Sequence, residues 1–166
     1  MLRRIILSFV FGVFLIPVFL TSWAYTDDTA KFVARKSVLT LSLAKSIASA
    51  CQNKAKELGY SVGIVILDES GNVKLEYLMD NQSTISLEWA KAKALSAFGF
   101  KQPTVKGEFR VWNIGSRTMV LGVSGGVPLI DGDKILGALG ISGTKGKDDG
   151  IIASAGLDAL KSVLKK

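Results

Sequence analysis

The feature that most constrains the fold is an uninterrupted apolar run, Val62 to Leu67, that ends in a polar turn. Asp68 to Asn72 has the composition of a tight turn, and Val73 to Met79 then alternates between apolar and polar residues. The pattern predicts an antiparallel hairpin. Its first strand has no polar face, so we expect the core to cover both sides of it.

The rest of the chain predicts helices and further strands arranged around this hairpin. Three helices and three more strands are expected, in the order helix, hairpin, helix, strands, helix. Residues 101–116 contain Pro103, Gly107 and Gly115 and are poorly patterned, which favours a loop with a short helical turn. The whole indicates an α+β domain with a mainly antiparallel sheet. The expected helices are Thr40–Leu58, Ser83–Phe98 and Asp148–Leu164, and the further strands are Thr118–Val123, Val127–Ile130 and Lys134–Ser142.

The N-terminus has the three parts of a secretory signal. Arg3 and Arg4 precede an apolar run from Ile5 to Leu20, and Ser22-Trp23-Ala24 places small residues where a signal peptidase cleaves. An uncleaved anchor is the alternative, but the run is shorter than the roughly 20 residues of a spanning helix. We therefore expect a signal peptide over residues 1–24, one domain over residues 25–166, a periplasmic or secreted location, and no membrane attachment after cleavage.

Composition excludes several classes of site. The chain has no histidine, so Ser-His-Asp catalysis and histidine-ligated zinc or haem iron are excluded. Cys51 is the only cysteine, and its apolar helical face predicts a buried, inert thiol rather than a disulfide. The net charge is +7, but the lysines are spread along the chain, so we expect no nucleic-acid partner.

The stretch GALGISGTKGKDDG, residues 137–150, resembles a phosphate-binding loop only superficially. A Walker A motif needs glycine where Ile141 stands and Ser or Thr where Asp148 stands, and the glycines are spaced by threes, unlike G-x-G-x-x-G. Asp148 and Asp149 supply negative charge where a phosphate would bind. We therefore expect a strand crowded against a neighbour, a tight turn, and a helix capped by these aspartates.

No metal site is predicted. The acidic pairs Asp68/Glu69 and Asp131/Asp133 lie in turns that favour aspartate, and Asp80 has a capping explanation near Ser83. The remaining soft or aromatic candidates for a metal or haem each have a core-packing or strand-packing explanation. They are Cys51, Tyr60, Tyr77, Met79 and Met119.

Four stretches resemble the GlcG/HbpS family of haem-degrading or haem-binding proteins, which is similar to the C-terminal domain of PduO-type corrinoid adenosyltransferases. The longest fits the family pattern "GGVPI..dG.viGaiGvSG". The four stretches are Ile64–Asp68 with Gly71; Met79-Asp80 with Ser86; Ala90, Lys93-Ala94 and Ala97; and Gly125–Pro128 with Gly132, Ile135–Ala138 and Gly140–Gly143.

The resemblance implies a profilin-like α/β/α sandwich with an antiparallel sheet of about five strands. It also implies haem or a related tetrapyrrole or planar cofactor as the ligand class, and a homo-oligomer between a dimer and an octamer. Asp80-Asn81-Gln82 replaces the usual "DGA", and a histidine thought to ligate haem iron in corrinoid-associated members has no counterpart here.

These observations predict an exported, non-catalytic binding protein. A lysine and free backbone amides suit a carboxylate-bearing ligand. One alternative is an enzyme acting on haem or a small organic acid, with Asp80 and Lys93 as acid and base. The other is an accessory protein that docks a protein partner. The expected ligand-binding residues are Asp80, Lys93, Gly125, Gly126, Val127 and Pro128.

Overall fold

The computed structural model describes residues 36–105 and 107–165. The predicted signal peptide, residues 1–24, lies outside these ranges. The described part contains three helices and six strands, and none of these helices is both long and apolar enough to cross a membrane. In chain order they are α1 (Leu41–Glu57), β1 (Gly63–Leu67), β2 (Val73–Leu78), α2 (Ile85–Phe100), β3 (Arg110–Ile114), β4 (Arg117–Leu121), β5 (Gly126–Asp131), β6 (Lys134–Ser142) and α3 (Lys147–Leu164).

The main sheet has four antiparallel strands in the order β2-β1-β6-β5. Successive residues of a strand point to opposite faces, so β1 serves two cores. Ile64 and Ile66 join one buried cluster, whereas Val65 and Leu67 join the other. This two-sided burial confirms the prediction from the apolar run and the predicted hairpin.

Helices cover both faces of the main sheet. On the first face, Ile47 and Cys51 of α1 and Ile152 and Leu160 of α3 pack into one core with the sheet. On the second face, the alanines of α2 pack against Val65, Leu67 and Ala138. The predicted α+β class and profilin-like α/β/α sandwich are therefore confirmed.

The segment 101–116 differs from the prediction. It contains β3, which pairs with β4 in a separate two-stranded sheet, so the six strands divide into four and two. The prediction of a loop was wrong for Arg110–Ile114. Four of the five side chains of β3 are exposed, so the strand lacks the apolar alternation that a half-buried strand shows.

Helix α2 lies between the main sheet and the β3–β4 hairpin. Its residues from Ala92 to Ala97 are all buried, because opposite sides of the helix meet different neighbours. The Ser96 hydroxyl accepts a hydrogen bond from the Val120 N–H of β4 and donates to the Ala92 carbonyl. This bond fixes the hairpin to the helix.

Gly140 shows why this part of the chain is rich in glycine. A Cβ at this position would collide with the backbone carbonyl of Ala90, so α2 can approach β6 only where the side chain is missing. The expectation of a strand crowded against a neighbour is confirmed here.

Candidate functional site

A buried ion pair joins the second face of the sheet to the start of α3. Lys93 Nζ lies 2.6 Å from Asp149 Oδ2 and donates to the Ile141 carbonyl at 2.9 Å. Lys93 is 4% exposed and Asp149 is 3% exposed. Burial lowers the pKa of Lys93, and the Asp149 carboxylate opposes this effect.

Asp149 has a different role from the helix cap predicted by the sequence. The N-cap residue is Gly146, and no side chain caps α3 there. The second carboxylate oxygen of Asp149 instead accepts from the Thr144 N–H at 3.1 Å and the Thr144 hydroxyl at 2.9 Å. Asp149 thus links the loop before α3 to the Lys93 ammonium. Its negative charge also interacts favourably with the dipole of α3 at the N-terminus of that helix.

The glycine pair in the predicted site packs against the same lysine. A Cβ on Gly125 would lie 2.8 Å from Asp149 Cβ and 3.2 Å from Lys93 Nζ, and one on Gly126 would lie 2.5 Å from the Lys93 carbonyl oxygen. The Ile141 carbonyl oxygen also blocks a Cβ on Gly125, and the Thr104 methyl also blocks one on Gly126, so a side chain at either position would force its neighbours to move.

The predicted turn with free N–H groups is only partly present, because the Gly125 N–H makes no hydrogen bond within the described residues whereas the Gly126 N–H is engaged by the protein itself. Gly126, Val127 and Pro128 lie in β5, with Val127 paired to Leu139 of β6. The Gly126 N–H donates to the Thr104 hydroxyl at 3.0 Å. Proline has no N–H to offer.

Asp80 lies apart from the other predicted site residues. It is exposed in the turn after β2, and its carbonyl accepts from the Ser61 hydroxyl at 2.5 Å. Within the described residues its carboxylate makes no hydrogen bond, so it does not cap α2. The neighbouring Gln82 instead bridges to the Ser61 carbonyl at 2.6 Å. The structure does not place Asp80 beside Lys93 in a common cleft.

A cleft of about 390 Å³ opens over the ion pair, and we call it the lysine cleft. The Lys93–Asp149 pair lies in its lining, with Trp89 of α2 on one side and Lys147 of α3 on another. The loop Gly122–Ser124 completes the wall. Because Lys93 is paired with Asp149, Lys147 is the exposed cation of this cleft.

A second cleft, of about 280 Å³, shares Trp89 with the lysine cleft, and we call it the apolar cleft. Ile85, Trp89 and Ala92 of α2 line it together with Val111 and Thr118 of the hairpin. Glu88 is the acidic residue of its lining. The two clefts meet at the Trp89 indole, which is 41% exposed, and we call them together the Trp89 groove.

The residues that line the Trp89 groove suit a flat apolar group with acidic substituents better than a metal ion. Haem iron is held in proteins by His, Cys, Met or Tyr, and none of these residue types lines either cleft. The described residues also contain no group of three or more potential metal ligands.

The soft and aromatic candidates from the sequence lie elsewhere. Cys51 is buried, and burial raises the pKa of its thiol to about 12, which agrees with the inert thiol predicted. Tyr60 and Met79 pack against the first core, and Met119 packs against the second. The Tyr60 hydroxyl donates to the Asp148 carboxylate at 2.7 Å, and this bond raises the pKa of Tyr60.

Sequence reasoning identified Lys93 but missed Trp89, Lys147 and Asp149 as partners in one site. Asp149 lies 56 residues from Lys93 along the chain, and no local pattern reports such a pairing. One signal was available for Lys93. It shares a helical face with Ala90 and Ala97, three residues before and four after, so a lysine there falls on the buried stripe.

Comparisons with known proteins agree with this fold. Protein GlcG of Escherichia coli K12 is 30% identical over 112 residues, which cover 64% of this chain and 83% of GlcG. The crystal structure of Klebsiella pneumoniae protein ORFY superposes with a TM-score of 0.67 at 25% identity, covering 78% of this chain and 95% of ORFY.

A haem complex is among the similar structures. The crystal structure of the PduOC:heme complex has a TM-score of 0.62 at 22% identity and covers 74% of this chain and 95% of that chain, which shows a common fold. The model of the family described as "Haem degrading protein HbpS-like" matches residues 39–158. The chain therefore belongs to the HbpS-like family, as the resemblance implied.

Proposed function

We propose that this protein is an exported, non-catalytic binding protein that holds haem or a related planar tetrapyrrole in the Trp89 groove. The observation that carries the proposal is the position of Trp89. Its half-exposed indole lies where an apolar cleft meets a cleft with an exposed cation. A planar ring with acidic substituents needs this combination of surfaces.

The apolar cleft would take the ring. Ile85 is 58% exposed and Val111 is 47% exposed, so both lose apolar surface from water when a ligand covers them. An exposed tryptophan adds a flat face for stacking against an aromatic ligand. Each cleft is near the lower end of the roughly 300–1,000 Å³ typical of small-molecule sites, and a ligand that spans both would use their combined surface.

Charges in the groove would orient the ligand. Lys147 at the first turn of α3 would attract a carboxylate, and Glu88 in the apolar cleft would repel one. The two aspartates in the first turn of α3 are already engaged, Asp149 with Lys93 and Asp148 with Tyr60. Acidic substituents would therefore point toward α3 and the bare ring edge toward the hairpin.

The comparisons support haem as the ligand class. The family is described as haem-degrading, and a protein of the same fold was crystallised as a haem complex. When bound, haem would supply iron chemistry. The residues of this groove would contribute binding and orientation.

Binding is tested by titrating the full chain with ferric haem and following the Soret band and tryptophan fluorescence. We expect Trp89→Leu to weaken binding by about tenfold or more, which corresponds to losing about 1.4 kcal/mol of stacking and burial. Trp112→Leu is the matched control, because Trp112 packs against Phe100 in a tilted arrangement and lines a different cleft. Equal weakening by both variants, or by neither, would contradict the proposal.

The orientation is tested by reversing one charge. Lys147→Glu should weaken haem binding several-fold, roughly 1 kcal/mol for an exposed charge pair, and the loss should shrink at high salt. Lys145→Glu makes the same change two residues earlier, at an exposed position that lines neither cleft of the groove. If both variants weaken haem binding equally, the effect comes from the net charge of the surface and Lys147 makes no specific contact with the ligand.

The export and assembly parts of the proposal have their own measurements. Arg3, Arg4, the apolar run to Leu20 and the Ser22-Trp23-Ala24 site support secretion, and cleavage there would leave Tyr25 as the N-terminus. N-terminal sequencing of protein from the periplasm or medium tests this, and an intact Met1 would contradict cleavage. Light scattering tests the homo-oligomer that the family resemblance implies, since a monomer at all concentrations would exclude it.

A further inference from the structure

We propose that the Trp89 groove recognises the tetrapyrrole ring and its carboxylates rather than the metal, so that a metal-free porphyrin binds as well as haem. This inference rests on the proposed function. It depends on which side chains line the two clefts and on where the remaining potential iron ligands lie.

Strong axial ligands for haem iron are absent from the lining. Iron is held by imidazole, thiolate, thioether or phenolate groups in proteins. The chain has no histidine, and the side chains that meet at the groove are indole, aliphatic, hydroxyl, ammonium and carboxylate groups. Most side chains that line the apolar cleft are aliphatic or, in Trp89, an indole. These groups cannot ligate an iron atom at the centre of the ring.

The other potential iron ligands of the described residues are committed to the two cores or lie outside the groove. The Cys51 thiol lies between α1 and α3, where a Cβ on Gly156 would come within 2.6 Å of its sulfur. Met79 packs against the first core and Met119 of β4 packs against the second. Tyr60 packs against the first core with its hydroxyl bonded to Asp148, and Tyr77 stands on the edge strand β2. Cys51, Met79 and Met119 would have to leave their packing to reach a ligand in the groove.

Glu88 and Thr118 are the remaining oxygen donors of the apolar cleft, and the Thr118 hydroxyl already donates to Asn113 Oδ1. The Glu88 carboxylate belongs to the apolar cleft and stands next to Trp89 on α2. Carboxylate is not among the usual axial ligands of haem iron in proteins, which are His, Cys, Met and Tyr. We assign Glu88 the role of repelling the acidic edge of the ring, which does not depend on the metal.

Affinity in this arrangement comes from terms that the ring carries with or without a metal. These terms are stacking on Trp89, burial of Ile85 and Val111, and the attraction of carboxylates to Lys147. A substitution of the central metal leaves all three unchanged. The groove would therefore take free-base and metal-substituted porphyrin dicarboxylates as one ligand class.

The experiment compares ferric protoporphyrin IX with metal-free protoporphyrin IX on the full chain. Tryptophan quenching gives both dissociation constants, and porphyrin fluorescence reports the free-base complex directly. We expect the two constants to agree within about threefold and Trp89→Leu to weaken both by a similar factor. Binding of the ferric form that is about tenfold tighter or more would overturn the inference while leaving the proposed function intact. If neither compound binds, the proposed function itself fails.

Glu88→Gln separates the two roles of the carboxylate. If Glu88 repels acidic substituents, the variant should bind both porphyrins equally well or slightly more tightly, because a repulsive charge is lost. If Glu88 instead coordinates iron, the variant should lose affinity for the ferric form alone, and that result would overturn the inference.

Discussion

At the scale of single residues, the Lys93–Asp149 pair should contribute strongly to stability. Removing one partner of a buried pair leaves an uncompensated charge, which typically costs about 3–5 kcal/mol. We therefore expect Lys93→Met to lower the free energy of unfolding by about that amount in urea titrations. The control is Lys91→Met on the same helix. Lys91 is half-buried and forms no ion pair within the described residues, so its replacement should change stability by less than about 0.5 kcal/mol.

The double variant Lys93→Met/Asp149→Leu tests whether the uncompensated charge is the cause. Replacing a buried pair by apolar residues of similar size is often neutral or stabilising, but Asp149→Leu also removes the two hydrogen bonds from Thr144, so the double variant should recover part of the stability lost by the single one. Additive losses would mean that packing around Lys93, rather than its charge, accounts for the effect.

The Lys93–Asp149 pair also shows what could not be predicted from the sequence for a single residue, namely its partner. Lys93 lies beside the small-residue stripe of Ala90, Ala94 and Ala97, where a solvated lysine is the plain expectation, and the structure instead buries it against a partner that the local sequence does not name. Asp149 becomes the partner only because β6 and α3 bring it to α2. Trp89 was equally hard to predict as a site residue, since its importance comes from the hairpin that faces it.

At the scale of elements, helix α3 contains two glycines whose replacement by alanine should have different effects on stability. A Cβ on Gly156 would lie 2.6 Å from Cys51 Sγ and 2.7 Å from a Leu139 methyl, both in the first core. Gly156→Ala should therefore destabilise the protein by about 1–3 kcal/mol. A Cβ on Gly150 would meet the Ser124 side chain at 3.2 Å, so Gly150→Ala should be neutral or stabilising by up to about 1 kcal/mol through helix propensity. Thermal unfolding of both variants checks this, and equal shifts in Tm would contradict the packing of α3 on α1.

The turn between β1 and β2 predicts a specific pH dependence. Burial opposes ionisation of Asp68, but the N–H groups of Asn72 and Ser70 donate to its carboxylate at 2.9 and 2.8 Å, and the net effect holds its pKa below the usual range. This stabilisation is present above the unfolded pKa and is lost as pH falls through the folded pKa. Asp68→Asn should therefore cost about 1 kcal/mol near pH 7, discounted for solvent exposure, and much less near pH 2.

Urea titrations at the two pH values measure this difference. Asp133→Asn is the control, because Asp133 lies in the turn between β5 and β6 and its carboxylate makes no hydrogen bond within the described residues. If Asp68→Asn lowers the free energy of unfolding by the same amount at both pH values, the effect comes from turn geometry and not from the charge of Asp68.

The elements also show which patterns in the sequence were sufficient. β1 and β6 were predicted well because each is an apolar run next to a turn of aspartate and glycine. β3 was missed because its partner β4 and helix α2 leave most of its side chains in solvent. A two-stranded ribbon of this kind is held by hydrogen bonds and buries little surface. The periodicity of apolar residues in a sequence reflects only buried surface, so it does not indicate such a ribbon.

At the scale of the whole molecule, the fold combines a well-buried sandwich with an exposed hairpin. All five residues of β1 and most of β6 are buried, whereas four of the five residues of β3 are exposed and Val120 is the one buried residue of β4. The groove proposed to bind ligand lies at the boundary between these two parts, with α2 contributing to both. Ligand binding would therefore involve the less protected part of the described structure.

Hydrogen exchange should resolve this division. Local openings occur at lower free energy where few apolar contacts are buried, so amides of β3 and β4 should exchange well before those of β1 and β6. The Val120 N–H should be an exception, because it donates to the buried Ser96 hydroxyl instead of facing solvent. If the groove binds a porphyrin, adding it should slow exchange in the hairpin and the first turns of α2 while leaving α1 unchanged. Uniform exchange across all strands would contradict the division into two levels of stability, and protection confined to α1 would place the ligand on the opposite face of the sheet.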